Sequence, residues 1–161
     1  YWLAVFEMPI EVHCLKPDVV AEASLSLEYP ISVKVGRKRL HIGNKEEFLH
    51  RRLAIQAAYA RTRESVTYCR GGHGKERKLK ALDRFKNLEA NYVSNRLHEY
   101  SRRLIDFCIK HQAGTLVLLD MQENTDIAKE EQFVLRNWSY YELINKIKYK
   151  AEKAGIELIT T

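Results

Sequence analysis

The chain has 161 residues, 45% of them hydrophobic and 30% charged, with 7 glycines, 3 prolines, 3 cysteines and a formal net charge of +6. That length suits one domain of roughly 100 to 200 residues, and the composition is that of a globular protein, not a disordered or fibrous one. No stretch approaches the ~18 to 20 consecutive apolar residues of a bilayer span, and the N-terminus lacks a basic-then-apolar secretory layout, which excludes the usual membrane classes. Cys14, Cys69 and Cys108 are odd in number and form no Cys-x-x-Cys pair. Neither a disulfide framework nor a thiolate zinc site is indicated, and a reducing cytoplasmic compartment is expected.

The first residue is Tyr, and residues 1–10 open directly on the apolar run Tyr1-Trp2-Leu3-Ala4-Val5-Phe6. They read as a strand ended by Pro9. Because chain ends are usually polar, the expectation is a piece cut from a longer protein. Lys16-Pro17-Asp18 reads as a turn or linker, with a domain boundary near residue 17. From Val19 the pattern is β-like through Leu27, followed after Tyr29-Pro30 by Ile31-Ser32-Val33-Lys34-Val35 and Arg39-Leu40-His41-Ile42. Three short strands with tight turns predict an antiparallel meander.

Asn44 followed by Glu46 and Glu47 marks a helix N-terminus, and Phe48, Leu49, Leu53, Ile55 and Ala58 form a helical stripe that extends to about Tyr68. Arg70-Gly71-Gly72-His73-Gly74 breaks that helix and leaves His73 as an exposed loop residue. A longer helix is predicted from Lys75 to about His111, its apolar positions running from Leu79 through Leu88 and Leu104 to Ile109, so the two helices form a hairpin. Gly114 stops it. Thr115-Leu116-Val117-Leu118-Leu119 has the continuous apolar run of a strand buried on both faces, read as a central parallel strand. Ser139 is the predicted cap of a last helix carrying Leu143, Ile144, Ile147 and Ala151; Gly155 ends it before the strand Ile156-Glu157-Leu158-Ile159. Three antiparallel strands, a helical hairpin, then strand, helix and strand with right-handed crossovers is the layout of an RNase H-like α/β domain with a mixed sheet.

Charge is unevenly placed. Between Arg51 and Lys86 lie eleven Lys or Arg residues against Glu64, Glu76 and Asp83. A hairpin this one-sided favours a polyanion, and the phosphate backbone of nucleic acid is the partner expected over a plain solvated face. The expected phosphate contacts are Arg51, Arg52, Arg61, Arg63, Lys75, Arg77, Lys78, Lys80 and Arg84. Arg136 and Trp138, in Arg136-Asn137-Trp138-Ser139-Tyr140-Tyr141, mix cationic and aromatic groups able to stack on bases, although Trp138 also suits a hydrophobic staple. The glycine-rich turn is not a P-loop, since Glu76 follows Lys75 where Ser or Thr is required.

Three stretches then carry a resemblance: Asn44-Lys45-Glu46-Glu47-Phe48-Leu49-His50-Arg51-Arg52-Leu53-Ala54-Ile55-Gln56, Gly71-Gly72-His73-Gly74-Lys75-Glu76-Arg77-Lys78-Leu79-Lys80-Ala81-Leu82-Asp83-Arg84, and Leu135-Arg136-Asn137-Trp138-Ser139-Tyr140-Tyr141-Glu142-Leu143. In register over residues 19–161, they resemble the RuvC-like nuclease domain of TnpB-like transposon proteins and compact type V CRISPR effectors. The resemblance implies residues 1–17 as the last strand of a preceding oligonucleotide-binding β-domain plus linker. It makes 18–161 the RuvC-like domain, with its hairpin at about 45–111. It also implies guide RNA and target DNA as partners in the cytoplasm, at the nucleoid, with a second copy or transposition- and CRISPR-associated proteins as further candidates.

Family members hydrolyse DNA with two divalent metals held by carboxylates. The resemblance puts Ser24 at the position of the family's first Asp and Leu119 at that of its Glu. The third acid and a Cys-x-x-Cys ribbon follow the family's last strand, and this sequence reaches Thr161 without them. The reading is therefore a nuclease-dead, nucleic-acid-binding domain with no catalytic residue, no metal ligand and no cofactor. Two alternatives stand beside it. One is an active Mg²⁺-dependent endonuclease using Glu22 or Asp120 in place of the lost acids; the other is a structural relic whose hairpin binds proteins.

Overall fold

The computed structural model describes residues 13–26, 28–68, 71–119 and 139–160. In Val19-Val20-Ala21-Glu22-Ala23-Ser24 the two-residue period of a strand buries Ala21 and Ala23 on one face and leaves Glu22 and Ser24 on the other. This is β1 (Lys16–Ser24), which continues as an antiparallel meander into β2 (Ile31–Val35) and β3 (Lys38–Ile42). Then follow α1 (Lys45–Thr67), α2 (His73–Lys110), β4 (Ala113–Leu119), α3 (Tyr140–Ala154) and β5 (Glu157–Thr160). The sheet order is β3-β2-β1-β4-β5, with β4 parallel to both its neighbours. The RNase H-like arrangement expected from the sequence is the one observed, and β4 has the interior position its apolar run demands.

One face of the sheet carries the core. Ala21, Ala23, Val33, Leu116 and Leu118 are buried with Leu97, Leu104 and Cys108 of α2 and Leu143, Ile147 and Ala151 of α3. Phe48 of α1 joins them, its ring 5.7 Å from that of Tyr92 and 6.4 Å from that of Tyr100. Burial drives the Tyr100 hydroxyl and the Cys108 thiol up to about 12 each, because the water their charged forms would lose outweighs the nearby Arg96 charge at Tyr100 and the backbone hydrogen bond at Cys108. Among the described residues no helix is long and apolar enough to cross a membrane.

Several expectations change. Lys16-Pro17-Asp18 is not a turn: Lys16 N–H donates to Gln112 O at 2.9 Å and Thr115 Oγ1–H to Pro17 O at 3.1 Å, so these residues open β1 beside β4. Pro17 lacks an N–H to give to the ladder, and the register shifts between Lys16 and Val20. Gly114 permits the approach, since a Cβ there would stand 2.7 Å from Lys16 O. The strand stops at Ser24, three residues short of the predicted end, because Ser26 forms a side-chain turn with Tyr29, donating to its carbonyl and accepting from its N–H.

Asn44 caps α1 as expected, its Oδ1 accepting from the N–H groups of Glu46 and Glu47. Ser139 does not cap α3 with its side chain: at φ +52 it is left-handed, and only its carbonyl engages the helix, accepting from Leu143 N–H. Gly155, at φ +73, ends α3 by donating to Ala151 O and Glu152 O. His73 is the first residue of α2 instead of a loop residue, though it is exposed as expected. Leu53, Leu79 and Leu88 belong to the apolar stripes by spacing, yet each is about 40% exposed. The strand read at residues 1–10 lies outside the described residues.

Candidate nucleic-acid interface

The sheet face turned away from the core is polar, and the register aligns its side chains in two rows. Leu119, Ser24, Ser32 and His41 are successive partners across β4, β1, β2 and β3. One step along, Val117, Glu22, Lys34 and Arg39 form the second row, about 6 to 7 Å from the first. Ser24 and Leu119 are separated by 95 positions in the sequence and are direct neighbours here, because parallel pairing of β1 with β4 brings the two strand ends level.

The two rows line a cavity of about 240 Å³ that includes Glu22, Ser24, Ser32, Lys34, Arg39, His41 and Leu119. Lys34 Nζ lies 3.8 Å from the Glu22 carboxylate, both side chains about half exposed. His41 shares a 2.9 Å hydrogen bond through Nδ1 with Ser32 Oγ and stacks on Tyr29 at 4.5 Å between centroids. Tyr140 Oη donates to Ser26 O at 3.0 Å, fastening the start of α3 to the turn that follows Ser24. Lys34, Arg39, His41 and Ser32 were not among the residues singled out from the sequence. The available signal was their two-residue alternation with Ile31, Val33, Leu40 and Ile42, which marks them as the open-face residues of β2 and β3.

A pair of divalent cations asks for several carboxylates converging within about 4 Å of one another. The donor set here does not suit it: one carboxylate, already paired to a lysine, stands among a guanidinium, an imidazole, two hydroxyls and a leucine. Among the described residues no group of three His, Cys, Asp or Glu side chains is placed to hold a metal. Asp120 lies outside the described residues.

The helical hairpin divides its cations by use. Arg52 Nε donates to Glu89 Oε1 at 2.8 Å, with both side chains mostly buried, and Gln56 donates to the same oxygen at 2.7 Å. Lys78 Nζ donates to Ser65 O at 3.1 Å. These two cations hold α1 against α2. Arg51, Arg61, Arg63, Lys75, Arg77, Lys80 and Arg84 are exposed. Arg77, Lys80 and Arg84, spaced i, i+3 and i+7, fall on one stripe of α2, opposite the side on which Lys78 and Glu89 meet α1. Arg51 borders an open hollow of about 680 Å³ with Glu46, Glu47, His50, Tyr92 and Arg96. There Arg96 bonds Glu99 at 2.8 Å and Glu47 at 2.9 Å and lies over the Tyr92 ring, and the Glu99 hydrogen bond raises its affinity for its proton. Arg136 and Trp138 lie outside the described residues.

No family model matches the chain. Among known proteins it is 34% identical over 123 residues to the CRISPR-associated endodeoxyribonuclease Cas12f1 of Sulfoacidibacillus thermotolerans, across 76% of this chain and 28% of that protein. The chain carries a RuvC-like domain of the compact type V effector and TnpB-like kind. The corresponding Cas12f1 of Syntrophomonas palmitatica is 27% identical across 99% of this chain and 32% of its own length. Two cryo-EM structures share the fold of this RuvC-like domain. One is a CRISPR-Cas12f ternary complex, with TM-score 0.69, 21% identity and coverage of 94% of this chain and 30% of that one. The other is a Cas12f1-sgRNA-target DNA complex, with TM-score 0.68, 22% identity and coverage of 95% and 30%. The chain thus spans about a third of the length of the relatives it matches.

Proposed function

We propose that this RuvC-like domain belongs to an RNA-guided DNA-binding protein and contacts guide and target nucleic acid without cutting. The relatives are named endodeoxyribonucleases, and the structural neighbours are complexes with a guide RNA and target DNA. The observation that carries the non-cutting part is Ser24 beside Leu119: two adjacent strand ends, where the resemblance expects an Asp and a Glu, bring no negative charge. The exposed cations of the hairpin supply the complementary attraction for a phosphate backbone. Base pairing with the guide would then read sequence while the protein reads duplex shape and phosphate.

The test starts from the protein expressed with its flanking genomic sequence, with the co-purifying RNA sequenced and a DNA matching that RNA offered with Mg²⁺ or Mn²⁺. Binding of the matching DNA without a cleavage product is expected. A metal-dependent cut that Glu22→Ala or Asp120→Ala abolishes would overturn the non-cutting reading in favour of displaced acids. The double substitution Ser24→Asp with Leu119→Glu sets two carboxylates on register partners. It is expected to make thermal stability sensitive to Mg²⁺, rising by about 1.4 kcal/mol at tenfold the dissociation constant, where the parent shows no shift.

A further inference from the structure

We propose that the cavity over Ser24 and Leu119 is a metal-independent seat for a single phosphodiester, held by Lys34 and Arg39 with hydroxyl and imidazole donors beside them. The inference rests on the nucleic-acid-binding reading above and specifies what the domain does with the place where a nuclease of this family keeps its cations.

The chemistry of the lining carries it. A two-metal site attracts phosphate through cations held by protein carboxylates. Here the protein's own cations stand in the second row: Lys34 and Arg39 are register partners one row from His41 and Ser32, all four on the wall of one cavity. Arg39 is exposed and has no ion-pair partner among the described residues. Among the described residues Lys34 has only Glu22 as an ion-pair partner, at 3.8 Å and half in solvent, a separation and exposure that a phosphate oxygen can compete with. Ser24 offers an O–H; Ser32 Oγ and His41 Nδ1 share one hydrogen bond, so that pair offers one further donor, the Ser32 O–H or the His41 Nε2–H, and the imidazole also stacks on the Tyr29 ring. Leu119 closes one end with an apolar wall that suits the sugar carbons flanking a phosphate. The volume, about 240 Å³, is enough for a phosphodiester linkage with its flanking sugar carbons.

Glu22 provides a test by sign. In a phosphate seat its carboxylate opposes the ligand and ties up Lys34, so Glu22→Gln should tighten binding. In a residual metal site the same change removes a ligand and should weaken it.

The experiment measures binding of the protein to a mixed-sequence single-stranded DNA in one arm and a mixed-sequence RNA in the other, by fluorescence anisotropy across a salt series, in EDTA and in Mg²⁺. The arm that responds tells which strand supplies the phosphate. Lys34→Ala with Arg39→Ala is expected to weaken binding about tenfold and to flatten the salt slope by about 0.7, equally with and without Mg²⁺. Glu22→Gln is expected to strengthen it several-fold. The exposed positions of these side chains leave the core intact, so an unchanged thermal midpoint is the check on folding. If the double variant matches the parent in both arms while Arg77→Ala with Arg84→Ala weakens binding, the seat is refuted and the nucleic-acid-binding reading stands. If Glu22→Gln weakens binding only in Mg²⁺, the cavity is a metal site and the seat is refuted. If the parent binds neither probe, both readings fall.

Discussion

Replacing Arg77, Lys80 and Arg84 together by Ala tests the hairpin as a phosphate-tracking surface. Seven residues at ~1.5 Å rise put Arg77 and Arg84 about 10.5 Å apart along the axis of α2. Three nucleotide steps of one duplex strand rise about as much, at ~3.4 Å each. The stripe therefore runs the length of four consecutive phosphates and carries cations for three of them, on the side of α2 away from Lys78 and Glu89, which meet α1. Each phosphate neutralised on a duplex contributes about 0.9 to the slope of log affinity against log salt, so the triple variant should lose roughly 2.7 of that slope. Between 50 and 200 mM salt the parent should then lose roughly 40-fold more affinity than the variant. The assay is anisotropy on a labelled DNA duplex at four or more salt concentrations. A variant with the parent's slope would refute the reasoning, because a stripe that released no counterions touches no phosphate.

Arg52→Ala should act differently, leaving the salt slope unchanged and lowering stability by about 2 kcal/mol, since it leaves a mostly buried Glu89 with one donor fewer; thermal denaturation should show a fall of about 4 to 8 °C. Gly114→Ala places a Cβ 2.7 Å from Lys16 O, a backbone atom that cannot swing aside, and should cost about 2 kcal/mol with loss of hydrogen-exchange protection at the Lys16 amide. Cys108, held up at about 12 by burial against an ordinary 9.0, is a thiol in the fold. Its contribution is complete below pH 9 and is lost as pH climbs from there towards 12. Between pH 8 and pH 10 Cys108 by itself should lower the stability measured by urea unfolding by about 1.4 kcal/mol, and Cys108→Ala should remove that share and leave the smaller loss owed to the buried tyrosines Tyr100 and Tyr140.

Much of the fold was legible because it is written in short-range chemistry. Asn44 with its two following glutamates, Gly155 past a helix end, the alternation in β2 and the apolar run of β4 each act within a few residues, so their elements fall where periodicity puts them. The misreadings have the opposite origin. Lys16 and Pro17 carry turn chemistry, and only a partner strand nearly a hundred residues away, with a glycine at the point of approach, makes them extended. Ser139 is a fitting cap by type, but its left-handed backbone takes its hydroxyl away from the helix.

The candidate site divides along the same line. The sequence by itself determined that a strongly cationic hairpin follows a meander, and that neutral residues stand at positions 24 and 119, because charge and residue type are properties of each position alone. Only the tertiary structure decided that those two residues are neighbours, since strand register is set by burying Ala21, Ala23, Leu116 and Leu118 on one face at once. It also decided which cations remain available: Arg52 and Lys78 are drawn inward by partners on the opposite helix, while Lys34 and Arg39, unremarkable in the chain, come to line the cavity beside Ser24. A charged side chain's task depends on what faces it, and that is fixed only when distant segments pack.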